Sequence, residues 1–275
     1  MTEESPLVVM PAEGWHVLHL FYKVEHGAWA LLAPDEKLAA KTQFTEVVQE
    51  IRALPQTQLL VFSMVSPKAD LGFMLITPDL HVANAAEKRL TLAFGPEMLV
   101  PVYSFLSLTE SSEYTTRDDE YAATLQREQG LEPGSAEFEK AMGEFTARMA
   151  KYKKDKLYPV LPVWEVFCFY PMNKRRGTDG QNWFALPFAE RKRLMAGHAK
   201  VGRTYHGKIL QLITGATGLD DWEWGVTLFA HDTFDLKAIV YEMRFDPVSA
   251  HYAEFGEFYI GLSVPLDELL RRLQL

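Results

Sequence analysis

The segment around Tyr170 brings together residue types that could do chemistry. Alternate residues from Trp164 to Tyr170 fall on one face of a predicted strand, and Lys174 and Arg175 follow a few residues later. Two interpretations are open. The segment is either an ordinary strand end, with an aromatic ring beside solvated charges, or the entrance of an anion-binding pocket with a redox-capable phenol at its base. The second interpretation predicts a ligand that carries negative charge.

His198 is a second candidate for a functional residue. It lies on the apolar side of a predicted helix, one turn beyond Leu194 and three residues beyond Met195. Periodicity alone favours a core histidine bonded to a backbone carbonyl. The competing hypothesis is a metal or haem ligand, because a neutral imidazole that projects from a rigid helix into an apolar cavity suits an axial iron ligand. Periodicity does not decide between the two.

Two further polar residues stand out at predicted elements. Gln211 shares a strand face with Ile209 and Ile213, and an unpaired buried amide costs about 1–3 kcal/mol, so we predict that it lines a polar cavity. Glu242 lies near the end of a predicted helix and is either an acid without function or the acceptor that orients a ligating imidazole. The sequence contains no GxGxxG, P-loop or HExxH motif.

Composition narrows the classes of function. The 275 residues carry 28 Lys and Arg against 37 Asp and Glu, and the net charge of −9 argues against nucleic acid as a partner. The one cysteine, Cys168, cannot form a disulfide within the chain, and zinc or iron–sulfur sites built on cysteine need several thiolates. No apolar run reaches the roughly 18 residues of a membrane helix, and acidic residues stand where a signal peptide has basic ones. We therefore expect a cytoplasmic protein without a membrane span.

Hydrophobic periodicity predicts the same order of elements twice. In the first half, the predicted strands are residues 16–24, 59–65, 71–76 and 100–108, and the predicted helices are 35–51 and 86–94. In the second half, the predicted strands are residues 163–170, 208–214, 222–230 and 257–262, and the predicted helices are 186–198 and 233–242. Each half therefore has the order βαββαβ, which is the ferredoxin-like unit.

Two ferredoxin-like units in one chain predict an α+β fold. Each unit leaves one sheet face open, so the two open faces can bury each other in an eight-stranded dimeric α+β barrel. The expected units are residues 1–112 and 157–275. Residues 113–156 between them are highly charged and predict a helical connecting segment with Ser135 as an N-cap.

Several stretches of the second half carry a recognisable pattern in a fixed order. They are CFYPMNKRR at 168–176, NW at 182–183, GHAKVGRTYHGKILQ at 197–211, DWEWGVTLF at 221–229, EMRFD at 242–246 and AEFGEFYIG at 253–261. In these stretches the chain resembles the chlorite dismutase superfamily, and within it the coproheme decarboxylases found in Gram-positive bacteria. The first half matches mainly in pattern and in YSFLSL at 103–108. The resemblance implies a dimeric α+β barrel that assembles into homopentamers, with the haem site in the second unit.

Carried over residue by residue, the resemblance implies a haem-type site. His198 would be the axial iron ligand, with Glu242 as the candidate acceptor behind its ring. Tyr170 matches the redox-active tyrosine of the decarboxylases and Lys174 the lysine beside it, so these two are the expected catalytic residues. The expected residues of the porphyrin pocket and its propionates are Met172, Trp183, Gln211, Arg244, Ser249 and Lys156. At Lys156 the family often has arginine, so the charge is kept but the bidentate fork is lost.

The resemblance also implies a reaction. The expected activity is the oxidative decarboxylation of iron coproporphyrin III (coproheme) to haem b by hydrogen peroxide, through a radical on Tyr170. Coproheme would be both substrate and redox cofactor. The alternatives are a non-catalytic haem carrier or sensor, a haem peroxidase, and a chlorite dismutase on the same fold. Gln211 stands where true chlorite dismutases place a distal arginine, which argues against chlorite chemistry. The resemblance also implies a coproporphyrin ferrochelatase as a transient partner.

Overall fold

The computed structural model describes residues 8–178 and 180–275. The strands are β1 (His16–Val24), β2 (Gln58–Met64), β3 (Leu71–Thr77), β4 (Leu99–Thr109), β5 (Val166–Lys174), β6 (Ile209–Gly215), β7 (Trp224–Ala230), β8 (Ala253–Phe255) and β9 (Tyr259–Ser263). The helices are α1 (His26–Leu31), α2 (Pro34–Arg52), α3 (Leu80–Thr91), α4 (Asp118–Gln129), α5 (Ala136–Leu157), α6 (Phe188–Thr204), α7 (Thr233–Met243), α8 (Pro247–Tyr252) and α9 (Leu266–Arg272), with a turn of 3₁₀ helix at Trp183–Ala185.

The element order confirms both predicted βαββαβ runs. The first is β1, α2, β2, β3, α3 and β4, and the second is β5, α6, β6, β7, α7 and β9. The short elements α1, α8, β8 and α9 are additions that the periodicity did not predict. Six residues or fewer are too short for a helical or alternating pattern to stand out, which accounts for α1, α8 and β8.

The strands close into a ring. They follow the order β7, β6, β4, β1, β3, β2, β9 and β5, and β5 also pairs with β7, so eight antiparallel strands form a barrel. In each unit the strands of the βαββαβ run lie in the order 4-1-3-2, and the units join edge to edge, β4 on β6 and β2 on β9. Closure leaves no unpaired edge in the ring. The predicted dimeric α+β barrel is confirmed.

Alternation along the strands divides the apolar side chains into layers. Aromatic residues of both units, among them Phe21, Phe62 and Phe167, fill the barrel interior. The outer face of the first unit packs against α2 and α3. The outer face of the second unit carries Val166, Cys168 and Tyr170 and packs against α7. Trp164 was expected on that last face but packs with the barrel-interior cluster, because it lies in the segment before β5 begins.

The connecting segment forms two helices that pack on each other. Tyr121 of α4 stacks on Phe145 of α5 with ring centroids 4.0 Å apart. The Ser135 hydroxyl accepts a hydrogen bond from the Phe138 N–H at 3.2 Å, so the predicted N-cap is confirmed. None of the helices in the described part of the chain is both long and apolar enough to cross a membrane.

Candidate active site

The outer face of the second unit collects most of the predicted functional residues. Strand β5 carries Tyr170, Met172 and Lys174, and α6 carries His198. The other predicted residues lie on further elements: Trp183 in the 3₁₀ turn, Gln211 on β6, Arg244 at the end of α7, Ser249 on α8 and Lys156 near the end of α5.

Asp246 fixes the ring of His198. Nδ1 of His198 lies 2.8 Å from Oδ2 of Asp246. A carboxylate can only accept, so Nδ1 donates and carries the proton, which leaves the lone pair of Nε2 free for a metal. No residue of the described ranges forms a hydrogen bond with Nε2. The geometry contradicts the alternative of a core histidine bonded to a backbone carbonyl.

Asp246 is itself held in place by the start of α8. Its Oδ2 also accepts from the N–H of Val248 at 3.1 Å and of Ser249 at 3.4 Å, so it is the N-cap of that helix. Burial of the carboxyl favours its neutral form, but the hydrogen bonds from His198 and the two backbone N–H groups outweigh this effect. The pKa of Asp246 therefore lies below its usual value.

The prediction that Glu242 stands behind the imidazole is wrong. Its carboxylate is exposed and accepts a hydrogen bond from the Tyr205 hydroxyl at 2.7 Å. The chain turns from α7 into α8 beyond Glu242, and this turn brings Asp246 rather than Glu242 to the ring of α6. The Asp246-Pro247 pair could have signalled this, because Asp before Pro is a typical helix N-cap.

Tyr170 is a buried phenol. Only 8% of the residue is exposed, and its ring stacks on Phe258 with centroids 4.3 Å apart and lies 5.8 Å from Phe255. Burial raises the pKa of the phenol above its ordinary value, so the group is protonated at neutral pH. Within the described ranges no residue forms a hydrogen bond with its hydroxyl, which leaves the O–H group available to a ligand.

Lys174 is a buried amine at the end of the same strand. Its Nζ lies 4.6 Å from the ring centroid of Trp183, a distance typical of a cation–π contact. Burial lowers the pKa of Lys174 to about 8, although Asp246 and Glu223 act in the opposite direction. The lysine can therefore hold an anion or release a proton near neutral pH.

The remaining predicted residues differ in how closely they join this group. The guanidinium carbon of Arg244 lies 3.8 Å from the ring centroid of Phe255, which also contacts Tyr170. Ser249 is buried beside Asp246, and Met172 packs in the same apolar cluster as Tyr170. Lys156 is half-buried, and this burial lowers its pKa. Among the described residues, the one aromatic ring that its ammonium contacts is that of Tyr152.

Gln211 is half-buried where α6 comes close to the sheet. A Cβ atom at Gly202, one turn beyond His198, would stand 3.2 Å from Nε2 of Gln211 and 3.4 Å from Cε of Met243. The glycine therefore allows the histidine helix to approach β6 at this point.

Sequence reasoning missed a second buried carboxylate, Glu223. It lies just before β7, accepts a hydrogen bond from the Lys174 backbone N–H at 2.9 Å, and forms an ion pair with Arg176. The one available signal was an acid between two tryptophans at the start of an apolar strand, in the stretch WEW at 222–224.

These residues fit a haem-type group. The described part of the chain contains no set of three His, Cys, Asp or Glu that could hold a bare metal ion. One imidazole with a free Nε2 and a carboxylate behind it suits a metal whose other ligands come from a macrocycle. Apolar side chains around Tyr170 suit the ring, and Lys174, Arg244 and Ser249 offer donors for its carboxylates.

Comparison with known proteins agrees with this description. The family model described as chlorite dismutase matches residues 37–264. The chain is 37% identical to a heme-binding protein from Thermus thermophilus, over 98% of this chain and 100% of that one, with a TM-score of 0.79. It is 16% identical to chlorite dismutase from Candidatus Nitrospira defluvii in complex with imidazole, over 96% and 97% of the two chains, with a TM-score of 0.70 that shows the shared fold. The chain belongs to the chlorite dismutase family.

Proposed function

We propose that this protein binds coproheme and converts it to haem b, using hydrogen peroxide to remove two of the four propionate carboxyl groups as carbon dioxide. The observation that carries the proposal is the pairing of a buried, protonated phenol, Tyr170, with a buried lysine of lowered pKa, Lys174. Both lie on β5, and Asp246, which holds the ring of His198, also acts on the charge of Lys174.

The proposed reaction balances with peroxide as the oxidant. In each of two rounds, a propionate, one hydrogen peroxide and one proton give a vinyl group, carbon dioxide and two water molecules. Two electrons leave the propionate and reduce the O–O bond of peroxide. Bound through His198, coproheme supplies the redox chemistry that activates peroxide.

Tyr170 has the properties that hydrogen transfer requires. Its phenol would lose a hydrogen atom to the oxidant and then take one from the β-carbon of a propionate, which regenerates the O–H group. Burial of the ring shields the radical from water and from outside reductants. A carrier or sensor has no use for this group, so its presence favours an enzyme.

Lys174 can serve the propionate that reacts. As an ammonium it would hold the carboxylate, and with a pKa of about 8 it can also supply the proton that each round consumes. Arg244 and Ser249 would bind the propionates that do not react, and Met172 and Trp183 would contact the ring. Lys156 is the further cation proposed for a propionate. Gln211 places a neutral amide where a fixed cation would favour chlorite.

The proposed role has consequences for assembly and supply. Iron must enter the porphyrin before the decarboxylation, so the substrate would come from a ferrochelatase that acts on coproporphyrin. We further propose that the chain works in the cytoplasm. We also propose that it assembles into a homopentamer, and sedimentation analysis of the purified protein would test this assembly.

The decisive experiment is incubation of the purified protein with coproheme and hydrogen peroxide, followed by mass analysis of the porphyrins. We expect the three-propionate monovinyl species first and haem b afterwards. Bleaching of coproheme without vinyl products would favour the peroxidase or carrier alternatives. Rapid, sustained oxygen release from chlorite by the haem-loaded protein would favour the dismutase alternative.

A further inference from the structure

Glu223 is a buried carboxylate that the proposed reaction does not use. Only 6% of the residue is exposed. Its Oε2 accepts a hydrogen bond from the backbone N–H of Lys174 at 2.9 Å, and its Oε1 pairs with the guanidinium of Arg176. Both carboxylate oxygens are therefore bound to the segment that follows Met172.

The backbone of Glu223 binds the same segment. Its N–H donates a hydrogen bond to Oδ1 of Asn173 at 2.8 Å. The ladder between β5 and β7 ends at the pair Met172 and Trp224, so Glu223 is the first residue beyond it. Glu223 therefore extends the contact between the β7 side and the end of β5 beyond the ladder, through residues 173, 174 and 176. The opposite edge of β5 pairs with β8.

The ammonium of Lys174 is not bound by the carboxylate that holds its backbone. Nζ lies over Trp183, and no carboxylate in the described ranges forms an ion pair with it. Asp246 and Glu223 both act on the charge of Lys174 through space. The guanidinium of Arg176 neutralises part of the negative charge of Glu223.

We propose that Glu223 is a positioning residue with two effects on Lys174: its carboxylate holds the backbone at the end of β5, and its negative charge acts through space on the ammonium, which stays over Trp183 and remains free for an anionic ligand. The assignment of that ligand as a coproheme propionate rests on the proposed function. A purely structural role is the competing explanation. The ion pair with Arg176, whose side chain is 60% exposed, would then be the main contribution of Glu223.

The test measures Lys174 directly in the protein without porphyrin. The rate at which an acylating reagent modifies Lys174, followed by peptide mass mapping from pH 6 to 10, gives the midpoint at which the free amine forms. Glu223→Gln removes a negative charge, so we expect the midpoint to move down by about one pH unit. Arg176→Met removes the positive charge that offsets Glu223, so we expect the midpoint to move up.

The matched control is Glu165→Gln. Glu165 is an exposed glutamate whose carboxylate forms a hydrogen bond with the ring of His231. It immediately precedes β5, at the opposite end of the strand from Lys174. We expect this variant to leave the midpoint of Lys174 unchanged. An unchanged midpoint in both Glu223→Gln and Arg176→Met, with both variants folded, would overturn the positioning role. If Glu223→Gln does not fold, Arg176→Met decides alone: an upward shift in the midpoint of Lys174 supports the role of Glu223, and no shift or a downward shift overturns it.

A second measurement separates this inference from the proposed function. With coproheme and peroxide, we expect Glu223→Gln to bind the porphyrin but to accumulate the monovinyl species several-fold over the wild type. A shifted midpoint in a protein that never forms haem b would sustain the positioning role and remove the decarboxylase assignment. If the wild type forms haem b, and Glu223→Gln shows neither a shifted midpoint of Lys174 nor a changed product ratio, the decarboxylase assignment stands and the positioning role is removed.

Discussion

At the scale of single residues, His198 and Asp246 act as one unit. The carboxylate fixes the tautomer of the imidazole and increases its basicity as a ligand, and such partners commonly change metal affinity by about 10–100-fold. We expect Asp246→Ala to weaken coproheme binding by that order and to shift its Soret band, and His198→Ala to do so more strongly. Glu242→Ala is the control and should leave the spectrum unchanged. Spectra and affinities identical to wild type in His198→Ala would remove the ligand assignment.

A substitution at Tyr170 would separate the proposed catalysis from binding. Phe has nearly the same volume, and the Tyr170 hydroxyl has no hydrogen-bond partner in the described part of the chain, so Tyr170→Phe should change the free energy of unfolding by less than about 1.5 kcal/mol. The variant should bind coproheme but form no vinyl product with peroxide, as mass analysis would show. Conversion at the wild-type rate would contradict the radical mechanism.

Lys174 would give the proposed reaction a pH dependence. Its pKa is lowered from 10.5 to about 8, so the ammonium is present below pH 8 and is lost as the pH rises through that value. If the charged form binds the reacting propionate, the rate of the second decarboxylation falls above pH 8. Lys174→Ala should bind coproheme, stall or slow at the monovinyl species, and lose this dependence. A wild-type rate that is constant from pH 7 to 9.5 would exclude the role.

At the scale of elements, β7 passes close to the aromatic core of the barrel at Gly225. A Cβ atom there would stand 2.6 Å from Cε1 of Phe105 and 3.0 Å from Oγ1 of Thr214. Gly225→Ala should therefore lower the free energy of unfolding by about 1–3 kcal/mol, because a well-packed interior has no room for an added methyl group.

The control for this substitution lies in α5. A Cβ atom at Gly143 meets no atom within 4 Å, and alanine favours a helix interior by about 1 kcal/mol over glycine. Gly143→Ala should therefore stabilise the protein, so urea denaturation should move the two variants in opposite directions. Equal stability of Gly225→Ala and the wild type would mean that β7 can shift away from Phe105.

The connecting segment also acts at this scale, because it holds the helix of His198. Glu120 of α4 pairs with Lys192 of α6, and Tyr114 lies between Phe188 at the start of α6 and the ring of Trp183. Trp183 in turn lies under Lys174. The segment is therefore packed on two of the elements that form the candidate site rather than being only a link between the units.

At the scale of the whole molecule, closure of the barrel buries a titratable ring. His19 of β1 is 0% exposed, stacks on Phe169 of β5 with centroids 4.1 Å apart, and bonds through Nε2 to the Thr227 hydroxyl of β7. Its Nδ1 has no partner among the residues described. Burial lowers the pKa of His19 from 6.5 to about 3, so the folded protein holds this ring neutral.

This burial predicts a loss of stability in acid. The unfolded chain binds a proton at His19 below pH 6.5 and the folded chain does not, so the stabilisation is complete above pH 6.5 and declines as the pH falls toward 3. The slope is about 1.4 kcal/mol per pH unit, or about 2 kcal/mol between pH 6.5 and 5. His19→Gln should remove this part of the dependence in urea denaturation, since other groups titrate in both proteins. Parallel curves would show that His19 is protonated in the folded state.

The local periodicity of the chain predicted most of the fold. Strand alternation and helical spacing are properties of neighbouring residues, and they indicated the repeated βαββαβ order and the face shared by Cys168 and Tyr170. Because a ferredoxin-like unit has one open sheet face, the repeat itself predicted the barrel. The motifs around Tyr170 and His198 also predicted the family from the residue types alone.

Tertiary structure alone decided which side chains meet. Glu242 and Asp246 are both acids near the end of α7, and only the turn into α8 brings Asp246 to the ring of His198. Glu223 binds a segment about 50 residues earlier in the chain, and His19 meets Thr227 across the barrel. A hydrogen bond depends on the positions of two atoms within about 3 Å, and those positions are set by the packing of whole elements, which no local pattern contains.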